Sequence, residues 1–113
     1  MAEMESYPRT YSKYTLEAVN LLGEQIRISR RERRWTQADL AERAGVGVRT
    51  VNRVENGDAR VTLGTVFELA ALTGVILFHA DRERLSLDLD RARARSALLG
   101  RVRRRNDEVD DDF

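Results

Sequence analysis

Apolar residues recur at helical spacing along most of the chain. Leu16, Val19, Leu22 and Ile26 are three or four apart, which predicts a helix with one buried stripe from Thr15, as N-cap, to about Arg33. Thr36-Gln37-Ala38-Asp39 then has the form of a capping box, with Asp in place of the usual Glu. Leu40, Ala41 and Ala44 give that second helix its buried face, and Gly45 supplies a left-handed stop. A third helix runs from about Val48 to Asn56, with Val51 and Val54 inward and Gly57 as terminator. Thr62 caps a fourth, whose apolar face is Leu63, Val66, Leu69, Ala70 and Leu72, ending at Gly74.

Periodicity is lost at Val75-Ile76-Leu77-Phe78, which fits either a short strand or the start of a fifth helix. Arg82–Leu99 is helical again, with Leu85, Leu89, Ala92, Ser96 and Leu99 alternating by four and three as in a heptad seam. Packing on its own domain and a dimer contact are equally compatible with that seam. The pattern divides the chain into a polar, flexible arm (1–14), a helical domain (15–80), a C-terminal helix (81–100) and a disordered basic-then-acidic tail (101–113). The fold class is all-α, a five-helix domain with an additional C-terminal helix and the strand at 75–78 left open.

Composition removes several chemistries. With 113 residues there is room for one domain and its tails. Cysteine is absent, and the single histidine, His79, sits in a mostly apolar run and reads as structural. No disulfide, thiolate metal site or histidine-based triad is expected, so the reading is of a non-enzyme without cofactor or metal. Neither a signal peptide nor a membrane span is visible, so the expected location is the bacterial cytoplasm, at the nucleoid. The net charge of +1 hides an uneven distribution: Glu24–Arg60 carries nine arginines against six acids, whereas Asp107–Asp112 carries five acids. Arginine suits bidentate contact with phosphate or guanine, although a genome rich in arginine codons explains part of the excess.

The segment Thr36–Gly57 joins two short helices by a glycine-containing turn, the physical content of a helix-turn-helix. Ala41 lies where the helices cross and must be small; Val46, Val51 and Val54 anchor the second helix. Its outer face is left to Val48, Arg49, Thr50, Asn52 and Arg53, and a helix of that width fits the major groove. Arg49 and Arg53 suit guanine, Asn52 suits adenine, and Val48 or the Thr50 methyl suits a thymine methyl.

The run Gln-Ala-Asp-Leu-Ala-Glu-Arg-Ala-Gly-Val (37–46) followed by Val-Asn-Arg-Val-Glu-Asn-Gly (51–57) resembles the phage repressor/Cro, or XRE-type, family. The resemblance covers about Leu22 to Val75. It implies that Gln37 and Asn56 contact DNA phosphates, and that Arg30 and Glu55 form a largely buried ion pair joining the first and third helices; Arg60 is a further candidate for phosphate contact. Gly47 departs from the Ser or Thr usual as cap of the recognition helix, and Thr73 from a large apolar residue. The flanks, Thr62–Leu69 and Gly74–Asp81, resemble HipB-like antitoxins, in which a strand near 75–78 pairs across a dimer. That likeness implies a homodimeric, autoregulating repressor acting on an inverted-repeat DNA operator, with a HipA-like kinase toxin as partner. The acidic end, Asp110, Asp111, Asp112 and Phe113, is a candidate segment for docking into that partner. A stand-alone regulator without a toxin, and a protein-interaction module that has lost DNA binding, are the alternatives.

Overall fold

The computed structural model describes residues 10–111, with side chains through Val102. Most of the N-terminal arm, together with Asp112 and Phe113, lies outside the described residues, as do the side chains of Asp110 and Asp111. Among the described residues five helices follow one another: α1 (Lys13–Glu32), α2 (Gln37–Ala44), α3 (Val48–Glu55), α4 (Leu63–Thr73) and α5 (Arg82–Asp111). They divide between two compact units, one ending at Ile76 and one beginning at Leu77. No helix among the described residues is long and apolar enough to cross a membrane.

In the first unit, α1–α4 enclose Ile26, Leu40, Ala41, Val51, Val54, Leu69 and Ala70, with Leu22, Trp35, Val46 and Val66 packed around them. Each helix begins and ends for a local reason. Ser12, not Thr15, is the N-cap of α1, its hydroxyl accepting the amide of Thr15 at 3.2 Å. At α2, the Thr36 hydroxyl accepts the Asp39 amide (3.0 Å) while Asp39 accepts the Thr36 amide (2.8 Å), a complete capping box. Asp39 has a lowered pKa because its carboxylate takes the Thr36 amide and then the hydroxyl. Gly45, at φ 71°, ends α2, and the Val46 amide then returns to the Ala41 carbonyl at 3.0 Å.

Two expected positions differ. Leu63 is 72% exposed, because burial on α4 begins further along the helix, at Leu69 and Ala70. The Thr62 hydroxyl makes no cap bond; it shares a hydrogen bond with Thr65 instead. Thr73, at the position the family usually fills with a large apolar residue, is 1% exposed, and its hydroxyl donates to the Leu69 carbonyl at 2.7 Å. The buried polar atom is thereby satisfied without leaving the helix.

Two close approaches set how α1 meets its neighbours. A Cβ at Gly23 would overlap the Val54 carbonyl oxygen, so glycine there lets α1 lie directly against the end of α3. Where α1 ends, Arg34 adopts φ 60°, the left-handed conformation usual for glycine. Its amide bonds the Arg31 carbonyl (2.9 Å) and the Trp35 amide bonds the Arg30 carbonyl (3.1 Å), closing the last turn. An L side chain in that conformation costs about 1 kcal/mol.

The segment 75–78 forms no strand, and no strand occurs among the described residues. The strand implied by the HipB-like flanks is thus not formed in the single chain. A strand satisfies its backbone groups only through a neighbour, and here the Val75 amide closes α4 on the Ala70 carbonyl (2.8 Å). In the second unit, Asp81 starts α5: its side chain accepts the Glu83 amide (2.9 Å) and its carbonyl the Leu85 amide (3.1 Å). The helix runs to Asp111, through the stretch that the sequence reading treats as disordered. No proline, and no glycine beyond Gly100, interrupts that stretch, and arginine is a good helix former.

Candidate nucleic-acid interface

Packing decides which face of α3 is free. Val51 and Val54 point into the core and Glu55 is fully enclosed, so three of its eight residues are committed inward. Val48, Arg49 and Asn52 are exposed, and Thr50 and Arg53 are half-buried at the edges of the same surface. Gly47 opens the helix with no side-chain cap, so the first amides of α3 meet solvent or a ligand directly.

Behind that face lies a charged cluster. Arg30 and Glu55 are 6% and 2% exposed. The guanidinium donates through Nε to Glu55 Oε2 at 2.6 Å and through Nη2 to Oε1 at 2.9 Å, a bidentate pair. Its third nitrogen, Nη1, donates to the Trp35 carbonyl at 2.8 Å, pinning the turn between α1 and α2. Glu55 Oε1 also accepts from Gln37 Nε2 (3.0 Å) and from Arg27 Nε (3.4 Å). Burial pushes the Glu55 carboxyl upward, but the bonds from Arg30, Gln37 and Arg27 outweigh it and hold it below the usual carboxylate range. The Arg30 guanidinium is raised correspondingly, chiefly by its hydrogen bond to Glu55. Glu55 thus ties α1 and α2 to the end of α3.

The surface candidates are organised by the same polar chemistry. Asn56 Nδ2 donates to Asn52 Oδ1 at 3.0 Å, and Asn56 Oδ1 accepts from Arg27 at 2.9 Å. Each amide keeps at least one N–H beyond these bonds, as does that of Gln37. Arg53 Nε donates to Asp58 Oδ2 at 2.8 Å, and Arg60 donates from Nε to Oδ1 (3.0 Å) and from Nη2 to Oδ2 (3.1 Å). Asp58 therefore holds one candidate base-reading arginine and one candidate phosphate-binding arginine. Hydrogen bonds from the Arg60 side chain and amide, then from Arg53, keep its carboxyl well below the usual range. Arg49 makes no hydrogen bond or ion pair among the described residues and projects freely. Beside α2, the Arg43 guanidinium lies 4.2 Å from the centre of the Trp35 ring, within cation–π range.

The structure gathers Gln37, Asn52, Arg53, Glu55 and Asn56 around one end of α3, with Val48, Arg49 and Thr50 at the other. Two participants escape the sequence reading. Arg27 bridges Glu24, Glu55 and Asn56, and only its place one helical turn before Arg30 hints at that role. Asp58 follows Gly57 in an ordinary turn, and nothing in its spacing reveals that it receives two arginines.

Residues 26–76 match the family model described as Helix-turn-helix. Among solved structures, one similar chain is in a HipB variant–O2 20mer complex, at a TM-score of 0.49 and 25% identity over 67% of this chain and 97% of that one. Another belongs to a HipA–HipB–O2–O3 complex, at 0.49 and 24% over 67% of this chain and 99% of that one. A chain described as MDT Protein gives the same scores and coverage. None of the curated proteins matches.

Proposed function

We propose that the protein is a sequence-specific DNA-binding transcriptional repressor of the XRE type, a reading supported by the match of residues 26–76 to the helix-turn-helix model. The observation that carries this reading is the division of α3: Val51, Val54 and Glu55 fix the helix from behind, and Val48, Arg49, Thr50, Asn52 and Arg53 form one outward surface. In the major groove that surface reads bases, Arg49 and Arg53 donating to guanine and Asn52 to adenine. Gln37, Asn56 and Arg60 hold the register on phosphates, using the N–H groups their internal bonds leave over. Arg30 and Glu55 contact no base; they keep α3 at a constant tilt. Occupancy of a promoter blocks polymerase, and the output is repression.

A homodimer on an inverted repeat places two α3 helices in successive major grooves, about 34 Å apart. The likeness of Thr62–Leu69 and Gly74–Asp81 to HipB-like antitoxins supports autoregulation of an operon encoding a HipA-like kinase toxin. Co-purification of a stoichiometric kinase-like protein is the expected result; its absence favours the stand-alone regulator.

The test is a fluorescence-anisotropy titration with the DNA upstream of the protein's own gene, beside a scrambled duplex of the same length. A preference of about a thousandfold for the native sequence is expected of a specific binder. Arg49→Ala and Arg53→Ala should each remove on the order of 1–3 kcal/mol of that discrimination. Equal, weak and equally salt-sensitive binding of both duplexes would leave only phosphate attraction and sink the assignment for that operator.

A further inference from the structure

Within the second unit, the helix α5 carries a long exposed surface. All its described side chains from Arg82 to Leu99 are exposed. Leu85, Leu89 and Leu99 keep 43%, 47% and 58% of their surface open. With Ala92 and Ser96 these leucines repeat at intervals of four and three residues, so they occupy one stripe of the helix. A sustained apolar stripe open to water on a long helix marks an interaction surface. An interval of 3.5 residues is the period that two supercoiled helices share.

Charge selects the occupant. When Leu85, Ala92 and Leu99 are core positions of one kind and Leu89 and Ser96 of the other, Asp88 and Arg93 fall on the two flanks of the seam. In a parallel, in-register pair the flanking residue of one helix faces the residue five further along its neighbour. Asp88 then meets Arg93 of the second copy, twice by symmetry, and Arg95 meets only Gly100. An antiparallel pair overlapping the whole seam would also bring Asp88 to an arginine, Arg95, but would set Arg93 against Arg93 at its centre, a repulsion that the parallel pair avoids. Asp88 also accepts from His79 Nε2 at 2.5 Å, and a carboxylate has lone pairs enough for both partners.

We propose that α5 binds α5 of a second copy of this chain as a parallel, in-register coiled coil along Leu85, Leu89, Ala92, Ser96 and Leu99. This names the contact surface of the homodimer proposed above and rests on that dimer, but its test requires no DNA. The alternation of large and small residues lets the helices approach closely at Ala92 and Ser96 while the leucines fill the space at either side.

Because the chain has no cysteine, single substitutions report the geometry without a background. Full-length Leu85→Cys and Leu99→Cys are each oxidised under mild conditions, and the wild type is sedimented over a concentration series. A parallel in-register pair brings like positions together, so each variant should link to itself. Asp88→Arg should raise the dimer dissociation constant about tenfold, and Asp88→Arg combined with Arg93→Asp should restore it. Variants that stay unlinked while the wild type sediments as a dimer would overturn the proposal and leave a homodimer built through another surface. A wild type that remains monomeric at about 100 µM, weaker than any dimer of regulatory use, would remove both the coil and the homodimer. Self-linking without rescue by the charge exchange would overturn the pairing of Asp88 with Arg93 from which the register is argued.

Discussion

The two units of this chain satisfy their side chains in opposite ways. In the helix-turn-helix unit the polar groups are turned upon one another: Glu55 accepts from Arg30, Gln37 and Arg27, and Asp58 accepts from Arg53 and Arg60. Among the described residues no buried side-chain nitrogen or oxygen lacks a partner. On α5 the described side-chain contact is exposed, a hydrogen bond between Asp88 and His79, and the leucines lie open. A unit of the first kind holds one surface in a fixed shape. A helix of the second kind acquires its packing from something else. Stability should therefore be concentrated in the first unit, and substitution should reveal the contrast.

The largest effect is expected at Glu55. Glu55→Ala strands the Arg30 guanidinium in the core and frees Gln37 and Arg27, and should cost about 3–5 kcal/mol in chemical denaturation. Replacing both Arg30 and Glu55 with apolar residues of similar size should cost much less, since no lone charge remains. The same pair predicts an acid limit. The Glu55 carboxyl is held below its unfolded value near 4.3, so the pair's contribution is fully present above that pH. It is lost as pH falls through the lower, folded value, where protonation of native Glu55 removes the charge that Arg30 requires. Urea midpoints between pH 7 and pH 3 would show this, and Glu55→Gln should flatten the fall. A variant as stable as the wild type would mean that the cluster is ornament, and the contrast between the units would lose its physical basis.

How much of this is legible in sequence depends on how local the cause is. The capping box of Thr36 and Asp39, the stop at Gly45 and the inward placement of Val51 and Val54 follow from a few neighbouring residues, and periodicity finds them. The pairing of Arg30 with Glu55 spans 25 positions and is readable through family resemblance, not through spacing. Asp58 escapes because its partners are set by the turn after α3, and Gly23 because its value lies in a backbone approach from another helix. Leu63 shows the converse error: it has the correct period for α4 but stands ahead of the level at which that helix is buried. At 75–78 the residue types suit a strand, yet one strand without a neighbour leaves its backbone unpaired. The free face of α3 is legible for a different reason: the residues that must point inward define it by elimination.

A smaller gain is expected at the turn after α1. Arg34 occupies a left-handed conformation that glycine adopts without cost, so Arg34→Gly should raise stability by up to about 1 kcal/mol. Part of the relief is offset by the freedom glycine adds to the unfolded chain. The amides of Arg34 and Trp35 keep their bonds to Arg31 and Arg30, so the geometry of the Arg30 clamp is unchanged. A rise in thermal midpoint with unaltered DNA discrimination would separate this local strain from the recognition surface.

The smallest effect sharpens the comparison most. Leu87 on α5 is 47% exposed and lies away from the seam of Leu85, Leu89 and Leu99, whereas Leu69 on α4 is fully buried. Leu69→Ala should cost about 2–5 kcal/mol through lost burial and the cavity left behind. Leu87→Ala should change stability by less than about 0.5 kcal/mol, since little contact is lost and alanine is the better helix former. The seam leucines should behave as Leu87 does when the protein is dilute and as partly buried residues when it is concentrated. A concentration-dependent penalty at Leu89 that is absent at Leu87 would assign the packing of α5 to association between chains. A large penalty at Leu87 at every concentration would instead mean that α5 is stabilised within its own chain, and the division into a self-sufficient unit and a partner-dependent helix would fail.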